Sequence, residues 1–82
     1  MKKRVSQNIT VYSTPLCPFC IMLKRYLEQK GFEYKEVDVS KNPDSIKVMY
    51  RKSGQTGVPV IDIDGKIIVG FDREALDEVL VL

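Results

Sequence analysis

Two cysteines stand close together near the start of the chain, in the stretch TPLCPFC. Cys17 and Cys20 are its only thiols, and their spacing suits a structural disulfide, part of a metal site or a redox centre. A disulfide that closes so short a ring stabilises the fold by only about 2 kcal/mol before strain is subtracted. The chain has no histidine, so it cannot complete a structural zinc site alone. The spacing therefore favours a redox centre.

The composition is that of a small globular protein. We expect 82 residues to form one domain, spanning residues 1–82, with a single core. No stretch approaches the about 20 apolar residues of a membrane-spanning helix, and the basic start MKKR lacks the apolar run of a signal peptide. A net charge of +2 gives no nucleic-acid footprint. We therefore predict a cytoplasmic protein with no membrane or nucleic-acid partner, in which closely spaced thiols do chemistry.

The elements around the cysteine pair place Cys17 at the start of a helix. The β-branched and aromatic run Ile9–Ser13 predicts a strand before it. Pro18 suits the first turn of the helix and Gly31 suits its far end. Spacings of three and four then predict the buried stripe of this helix, which consists of Phe19, Leu23, Tyr26 and Leu27.

The next two elements predict a strand and a second helix. The stretch FEYKEVDV, residues 32–39, reads as a strand parallel to the first, because a helical crossover joins the two. The second helix opens with Asn42 as its cap and Pro43 at its first position, and it stops at Gly54. Its predicted inward side chains are Ile46, Met49 and Tyr50.

The end of the chain predicts a hairpin followed by a third helix. The hairpin pairs Val60–Ile63 with Lys66–Val69 around a turn at Asp64 and Gly65. Asp72 caps the last helix, whose predicted inward side chains are Leu76, Val79 and Leu80. The element order is therefore βαβαββα.

A cysteine pair at a helix start implies two different roles. The free N–H groups and the dipole of the helix start favour the thiolate of Cys17, and the thiolate is the form that attacks a disulfide. The attack gives a mixed disulfide with the substrate. Cys20, one helical turn on, can displace the substrate and leave a Cys17–Cys20 disulfide. We therefore predict Cys17 as the nucleophile and Cys20 as the resolving thiol.

The element order and three motifs resemble the glutaredoxins of the thioredoxin superfamily. CPFC is similar to their active-site motif, GVPVI to the loop with a valine before a cis-proline, and GFD to their glycine-rich turn. The resemblance runs from Ile9 to about Leu80. With the right-handed crossover rule, it implies an α/β thioredoxin-like fold: a four-stranded mixed sheet in the order 2-1-3-4, flanked by three helices. Helices one and three are expected on one face and helix two on the other.

The resemblance also implies an activity. It suggests a thiol–disulfide oxidoreductase that reduces protein or mixed disulfides and serves electron transport and cell redox homeostasis. The Cys17–Cys20 disulfide would be its redox group, with no other cofactor and no metal, and glutathione would be a possible cosubstrate. We expect a monomer whose partners are disulfide-containing proteins and an electron donor, either thioredoxin reductase or glutathione.

Six residues are assigned to the substrate groove by the same resemblance: Pro18, Phe19, Val58, Pro59, Gly70 and Asp72. In the family the proline that matches Pro59 is cis, and it turns the backbone here formed by Val58 toward an extended peptide or glutathione. Phe19 could edge the active site or lie partly in the core. Tyr12 is predicted to pack rather than to react.

The chain departs from glutathione-using members of the family at several contacts. Thr14 and Thr56 stand where basic side chains typically hold the glycine carboxylate of glutathione, whereas Gln55 matches. In the later turn, Val69 replaces a glycine and Arg73 replaces an acidic residue. The loss of two charge-assisted contacts of about 1.5–3 kcal/mol each would weaken glutathione binding. The pattern favours redoxins that a thioredoxin reductase reduces, such as those serving ribonucleotide reductase.

Two alternatives from other functional classes stay open. A glutathione-dependent iron–sulfur carrier could form if two chains each gave one Cys17 and glutathione gave the other ligands. A non-catalytic binding module on the same fold could retain both cysteines unused. Visible absorbance distinguishes the carrier, and reduction of a small disulfide distinguishes the enzyme from the module.

Overall fold

A computed structural model describes residues 8–80 of the chain and confirms the predicted order of elements. The strands are β1 (Ile9–Ser13), β2 (Lys35–Asp38), β3 (Val60–Ile63) and β4 (Lys66–Val69). The helices are α1 (Pro18–Gln29), α2 (Pro43–Ser53) and α3 (Arg73–Val79). Within residues 8–80, none of these helices has the length and apolar character needed to cross a membrane.

The four strands form one mixed sheet in the predicted order β2-β1-β3-β4. β1 pairs in parallel with β2 and antiparallel with β3, and β3 and β4 form the expected hairpin. At the hairpin turn, Asp64 and Gly65 adopt positive φ angles of 53° and 92°, which match the twist of the paired strands. Because β1 and β3 are antiparallel, the end of β1 lies next to the start of β3. The end of β1 leads to Cys17, and the start of β3 follows Pro59.

The helices cover the two faces of the sheet as predicted. Alternate strand residues point to opposite faces, so Val11 packs with α1 and α3 while Tyr12 packs with α2. We call the first surface the α1/α3 face and the second the α2 face. The α1/α3 face buries the larger cluster, which consists of Ile9, Val11, Leu23, Tyr26, Leu27, Phe32, Ile61, Ile63, Ile68, Leu76 and Leu80. The buried residues of the α2 face are Tyr12, Val39, Met49 and Val60.

The second strand is shorter than the sequence predicted. Gly31, at φ 83°, donates its N–H to the carbonyl of Glu28 at 3.0 Å, and the N–H of Phe32 bonds to the carbonyl of Leu27 at 2.9 Å. These two bonds form the Schellman motif that ends a helix. Phe32 therefore belongs to the end of α1, where its ring packs in the core, and β2 begins only at Lys35.

One prediction for α2, the inward position of Tyr50, is wrong, and the cap at Asn42 is confirmed in position only. Tyr50 points outward and is 55% exposed, whereas the buried stripe contains Ser45 and Met49. The small Ser45 fits against the sheet because its hydroxyl bonds to the carbonyl of Asn42 at 2.5 Å. Asn42 does occupy the N-cap position, but its side chain makes no capping hydrogen bond. At the other end, Gly54 closes the helix in the left-handed region, as predicted.

Candidate active site

Cys17 is the N-cap residue of α1. Its backbone is extended, with φ −93° and ψ 111°, and its Sγ accepts a hydrogen bond from the N–H of Cys20 at 3.2 Å. Pro18 takes the first helical position, where its missing N–H leaves no group unsatisfied. The sulfur thus occupies the position at which serine or aspartate oxygens usually cap helices. A negative charge on this atom is stabilised by the N–H it accepts and by the helix dipole.

Cys20 lies one turn into α1 and points into the protein. It is fully buried, whereas Cys17 is partly exposed, and both thiols are free. Burial, together with the hydrogen bond to Cys17, raises the pKa of Cys20 to about 12. The charge of Lys24, one turn further along α1, acts in the opposite direction. Cys20 is therefore a neutral thiol near neutral pH, which fits a group that reacts second.

The loop before β3 brings a backbone carbonyl to Cys17. The Val58–Pro59 peptide bond is cis, as the resemblance implied, and Pro59 is buried. The carbonyl oxygen of Val58 lies 3.9 Å from Cys17 Sγ, within the reach of a weak S–H hydrogen bond. An extended segment that pairs with the backbone at Val58 would therefore lie beside the sulfur.

The turn between β4 and α3 is joined to that loop. Gly70 donates its N–H to the carbonyl of Pro59 at 2.8 Å, and its φ of 78° requires a glycine at this position. Asp72 is exposed and caps α3 by accepting the N–H of Ala75 at 3.2 Å. The structure thus brings together Cys17, Val58, Pro59 and Gly70, while the side chain of Asp72 accepts its hydrogen bond within α3.

Three exposed apolar side chains lie close to Cys17 in the sequence, before and within the first turns of α1. Phe19 is 58% exposed, so it does not lie in the core, which was one of its two predicted places. Leu16 is 91% exposed and Met22 is 47% exposed. Leu16 is not among the predicted site residues, although an apolar residue between a proline and a cysteine in a turn is a signal for an exposed contact residue. Exposed apolar groups beside a reactive atom suit contact with another protein.

Two of the positions that depart from glutathione-using relatives carry neutral side chains near the site. Thr14 is half-buried in the turn before α1, and Thr56 is exposed in the loop before Val58. Gln55 donates its side-chain N–H to the carbonyl of Gly57 at 3.4 Å, within its own loop. Tyr12 is buried in the α2 face, where its hydroxyl accepts a hydrogen bond from Lys52 at 3.0 Å, so its predicted packing role is confirmed.

Comparisons with known proteins agree with this geometry. The glutaredoxin family model matches residues 9–68. The chain is 43% identical over 72 residues to a glutaredoxin-like 8.6 kDa protein in the rubredoxin operon of Clostridium pasteurianum, covering 88% of this chain and 96% of that protein. It is 35% identical over 65 residues to glutaredoxin 3 of Escherichia coli K12, covering 79% and 78% of the two chains. The crystal structure of the thioredoxin-like protein BC3987 superposes with a TM-score of 0.83 at 32% identity, covering 89% of this chain and all of that one.

Proposed function

This chain belongs to the glutaredoxin family, whose members are thiol–disulfide oxidoreductases, and we propose that it reduces protein disulfides through a Cys17/Cys20 dithiol mechanism. One observation carries the proposal. The Sγ atom of Cys17 caps α1, accepts the N–H of Cys20 at 3.2 Å and lies 3.9 Å from the Val58 carbonyl. A thiolate at this position is stabilised, partly exposed and next to a backbone that can hold a substrate.

The first step is the attack of Cys17. Its thiolate sulfur forms a bond to one sulfur of the substrate disulfide, and the substrate's S–S bond breaks. The second substrate sulfur leaves as a thiolate, which takes a proton from solvent. A mixed disulfide now joins Cys17 to the substrate. Pairing of the substrate backbone with Val58 would orient the disulfide for this attack.

The second step is resolution by Cys20. Its sulfur, once deprotonated, attacks the Sγ of Cys17 and breaks the mixed disulfide, so the substrate's remaining sulfur leaves as a thiolate. The substrate has gained two electrons and the protein now holds a Cys17–Cys20 disulfide. Burial is the largest cause of the raised pKa of Cys20 and persists in the mixed disulfide, so we expect proton removal from Cys20 to limit this step near neutral pH.

We further propose that a thioredoxin reductase, rather than glutathione, returns the two electrons. Thr14 and Thr56 offer no positive charge to the carboxylate of glutathione. The exposed apolar side chains of Leu16 and Phe19 next to Cys17 suit a protein donor better than a charged tripeptide.

A coupled assay tests both proposals. The purified chain reduces hydroxyethyl disulfide while NADPH consumption is followed, with thioredoxin reductase in one series and glutathione with glutathione reductase in the other. Cys17→Ser should abolish both rates. Cys20→Ser should abolish the reductase-driven rate, which needs an intramolecular disulfide. Activity that survives Cys17→Ser would contradict the mechanism.

A gain of function tests the choice of donor. Thr14→Lys combined with Thr56→Arg restores two cations, and we expect it to raise the glutathione-driven rate by about tenfold or more. Asn8→Lys adds a charge at the opposite end of β1 and should change nothing, because Asn8 is exposed and its hydrogen bonds use its backbone. A wild-type protein that already works faster with glutathione would contradict the proposed donor.

Alkylation compares the two thiols directly. Iodoacetamide should modify Cys17 rapidly near neutral pH and leave Cys20 intact, because Cys20 is fully buried and its pKa is about 12. Mass analysis after a short exposure gives the modified position. Faster modification of Cys20 would reverse the two roles. The ultraviolet–visible spectrum of the same preparation tests the iron–sulfur carrier, which requires visible absorbance.

A further inference from the structure

A polar cluster lies one helical turn beyond the buried thiol, between α1 and the edge of the sheet. The Nζ of Lys24 donates to Oε2 of Glu36 at 2.6 Å, and the hydroxyl of Ser13 donates to the same oxygen at 3.0 Å. Ser13 ends β1 and is fully buried, whereas Glu36 belongs to the edge strand β2. We call these three residues the Lys24 cluster. The mechanism above does not use it.

The geometry of α1 places Lys24 beside Cys20. The two residues are four positions apart, so their side chains lie on the same side of the helix, one turn from each other. Helical side chains lean toward the N-terminus, so that of Lys24 leans toward the turn that carries Cys20. At a rise of about 1.5 Å per residue, Lys24 is about 6 Å along the helix from Cys20 and about 10 Å from Cys17. Lys24 is therefore placed nearer to the second thiol than to the first.

The cluster holds the charge of Lys24 in place. The side chain of Lys24 is only 21% exposed, and its ammonium is tied to Glu36. The hydrogen bonds from Lys24 and Ser13 lower the pKa of Glu36, so the carboxylate is ionised near neutral pH. The charge of Lys24 lowers the pKa of Cys20 even with this carboxylate bound. A positive charge thus stays close to a thiol that burial keeps neutral.

Formation of the mixed disulfide changes the balance of effects on Cys20. Burial is the largest cause of its raised pKa, followed by the hydrogen bond to Cys17, while a backbone bond at Thr14 and the charge of Lys24 lower the pKa. Asp38, on β2, acts on Glu36 and makes its own hydrogen bonds in the turn that follows. Once Cys17 is bonded to substrate, its sulfur carries no charge. Its opposition to a thiolate at Cys20 then ends, whereas the charge of Lys24 remains.

We propose that Lys24 assists the second step of the reaction by compensating the negative charge of the Cys20 sulfur as it attacks Cys17, and this inference rests on the proposed function. The proton of Cys20 passes to a solvent base, and Lys24 keeps its own protons. The Cys20 sulfur then forms its bond to Cys17, and the substrate sulfur leaves with the electron pair of the mixed disulfide. Glu36 and Ser13 are positioning residues, because they act through Lys24.

The same charge should assist the return of electrons to the protein. When a donor thiolate attacks Cys17 in the oxidised protein, Cys20 leaves as a thiolate. A charge that stabilises this thiolate speeds the reaction in both directions. It leaves the equilibrium near neutral pH unchanged, because Cys20 of the reduced protein is a neutral thiol. Lys24 should therefore affect the rates and not the reduction potential.

An uncharged aromatic disulfide, dithiodipyridine, separates the two steps in the full chain in its dithiol form. Attack by Cys17 and resolution by Cys20 each release one pyridinethione, whose ultraviolet absorbance is followed by stopped flow. With the protein in excess, the rate of the first phase depends on protein concentration, and the rate of the second, intramolecular phase does not. Because the probe has no charge, a substitution cannot act through the charge of the probe.

Substitutions on α1 then identify the charge. Lys24→Met keeps the apolar stem and should slow the second phase about five- to tenfold, with less than about a twofold change in the first. Lys24→Arg retains the charge and should keep the second phase within about twofold of the wild type. Arg25→Gln is the control, because Arg25 is exposed and lies about 140° around the helix from Cys20. It removes an equal charge and should leave both phases unchanged.

Several results would overturn the role of Lys24. These are a second phase as fast in Lys24→Met as in the wild type, an equal slowing of both phases, and a Lys24→Arg variant as slow as Lys24→Met. A changed redox equilibrium with dithiothreitol would also overturn it, because the charge would then act on the stable states. Urea unfolding checks that each variant is folded, and Lys24→Gln replaces Lys24→Met if the latter is not.

A different result would overturn the proposed function. If the wild-type protein released pyridinethione in one phase only and formed no Cys17–Cys20 disulfide, the dithiol mechanism would be wrong, and the role of Lys24 would fall with it.

Discussion

The two faces of the sheet hold their helices in different ways. Among residues 8–80, the α1/α3 face buries eleven hydrophobic residues, with Leu23, Leu27 and Leu76 fully enclosed, whereas the α2 face buries four around Met49. Each face also has an ion pair between helix and sheet, and that of the α2 face includes a further bond to a tyrosine hydroxyl. Lys52 donates to Asp62 at 2.6 Å and to the hydroxyl of Tyr12 at 3.0 Å, two bonds that tie α2 to β3 and β1.

The packing of the α1/α3 face also determines the environment of the second thiol. Cys20 belongs to the same buried stripe of α1 as Leu23 and Leu27. The apolar packing that fixes α1 also encloses the second thiol and raises its pKa. The helix that carries both cysteines is therefore held by the larger cluster, while α2, which precedes the Pro59 loop, depends on a smaller cluster and on charge.

The largest expected effect comes from the core of the α1/α3 face. Leu27→Ala should lower the free energy of unfolding by about 2–5 kcal/mol, since Leu27 is fully buried and the enclosed site cannot collapse around the cavity. Met49→Ala should fall at the lower end of that range. Ile21→Ala, on the exposed side of α1, should cost less than about 0.5 kcal/mol. Urea denaturation measures all three. Equal costs for Leu27→Ala and Met49→Ala would remove the contrast between the faces.

The cap of α3 should give the next largest effect. Asp72→Ala removes the acceptor of the Ala75 N–H and should cost about 1 kcal/mol of stability. Asp72→Asn keeps an acceptor and should lower the free energy of unfolding by only about 0.3 kcal/mol. The rates of the coupled assay decide whether Asp72 is more than a cap. If Asp72→Asn slows the glutathione-driven reaction at unchanged stability, the side chain also contacts the substrate.

The polar contact of the α2 face should contribute less. Lys52→Met keeps the packed stem and should cost up to about 1 kcal/mol, discounted for solvent screening. Its bonds to Asp62 and Tyr12 raise the pKa of Lys52. The contribution is therefore complete below the pKa of an unfolded lysine and is lost as the pH rises through the higher folded value. Thermal unfolding of both proteins from neutral to alkaline pH tests this, and a difference that grows with pH would contradict it.

The smallest effect should come from the corresponding ion pair of the α1/α3 face. Lys24 donates to Glu36 at 2.6 Å, and this bond, with one from Ser13 at 3.0 Å, lowers the pKa of Glu36. Glu36→Gln should cost about 0.5 kcal/mol or less near neutral pH, because the carboxylate is partly exposed. The contribution is present above the unfolded pKa and disappears as the pH falls through the folded value. A cost larger than that of Lys52→Met would show that polar contacts hold both faces alike.

Most of the fold follows from local signals in the sequence. The limits of β1, β3 and β4 are marked by β-branched runs and by the turn at Asp64 and Gly65. The predicted second strand is too long because an apolar residue such as Phe32 fits the pattern of a buried strand and equally the motif that ends α1. Tyr50 was predicted inward because the spacing alone cannot tell whether a small residue such as Ser45 takes the buried position.

Some features of the candidate site can likewise be predicted from the local sequence, and others cannot. The position of Cys17 at a helix start follows from Pro18 and from the apolar stripe after it. The cis bond before Pro59 could be expected only from the family resemblance, because the local sequence does not select it. The groove that Arg25 and Arg73 line between α1 and the β4–α3 turn could not be predicted, since these residues are far apart in the chain and meet only when α1 and α3 pack together.

The amide of Gly70 faces the protein rather than water, because its hydrogen goes to the carbonyl of Pro59 at 2.8 Å. An amide in a surface turn ordinarily exchanges with deuterium quickly, but this one can exchange only when the turn and the Pro59 loop separate. Its exchange rate therefore measures how often the β4–α3 turn separates from the Pro59 loop beside Cys17. A ligand that binds and stabilises either segment should slow that exchange, even if it does not contact Gly70.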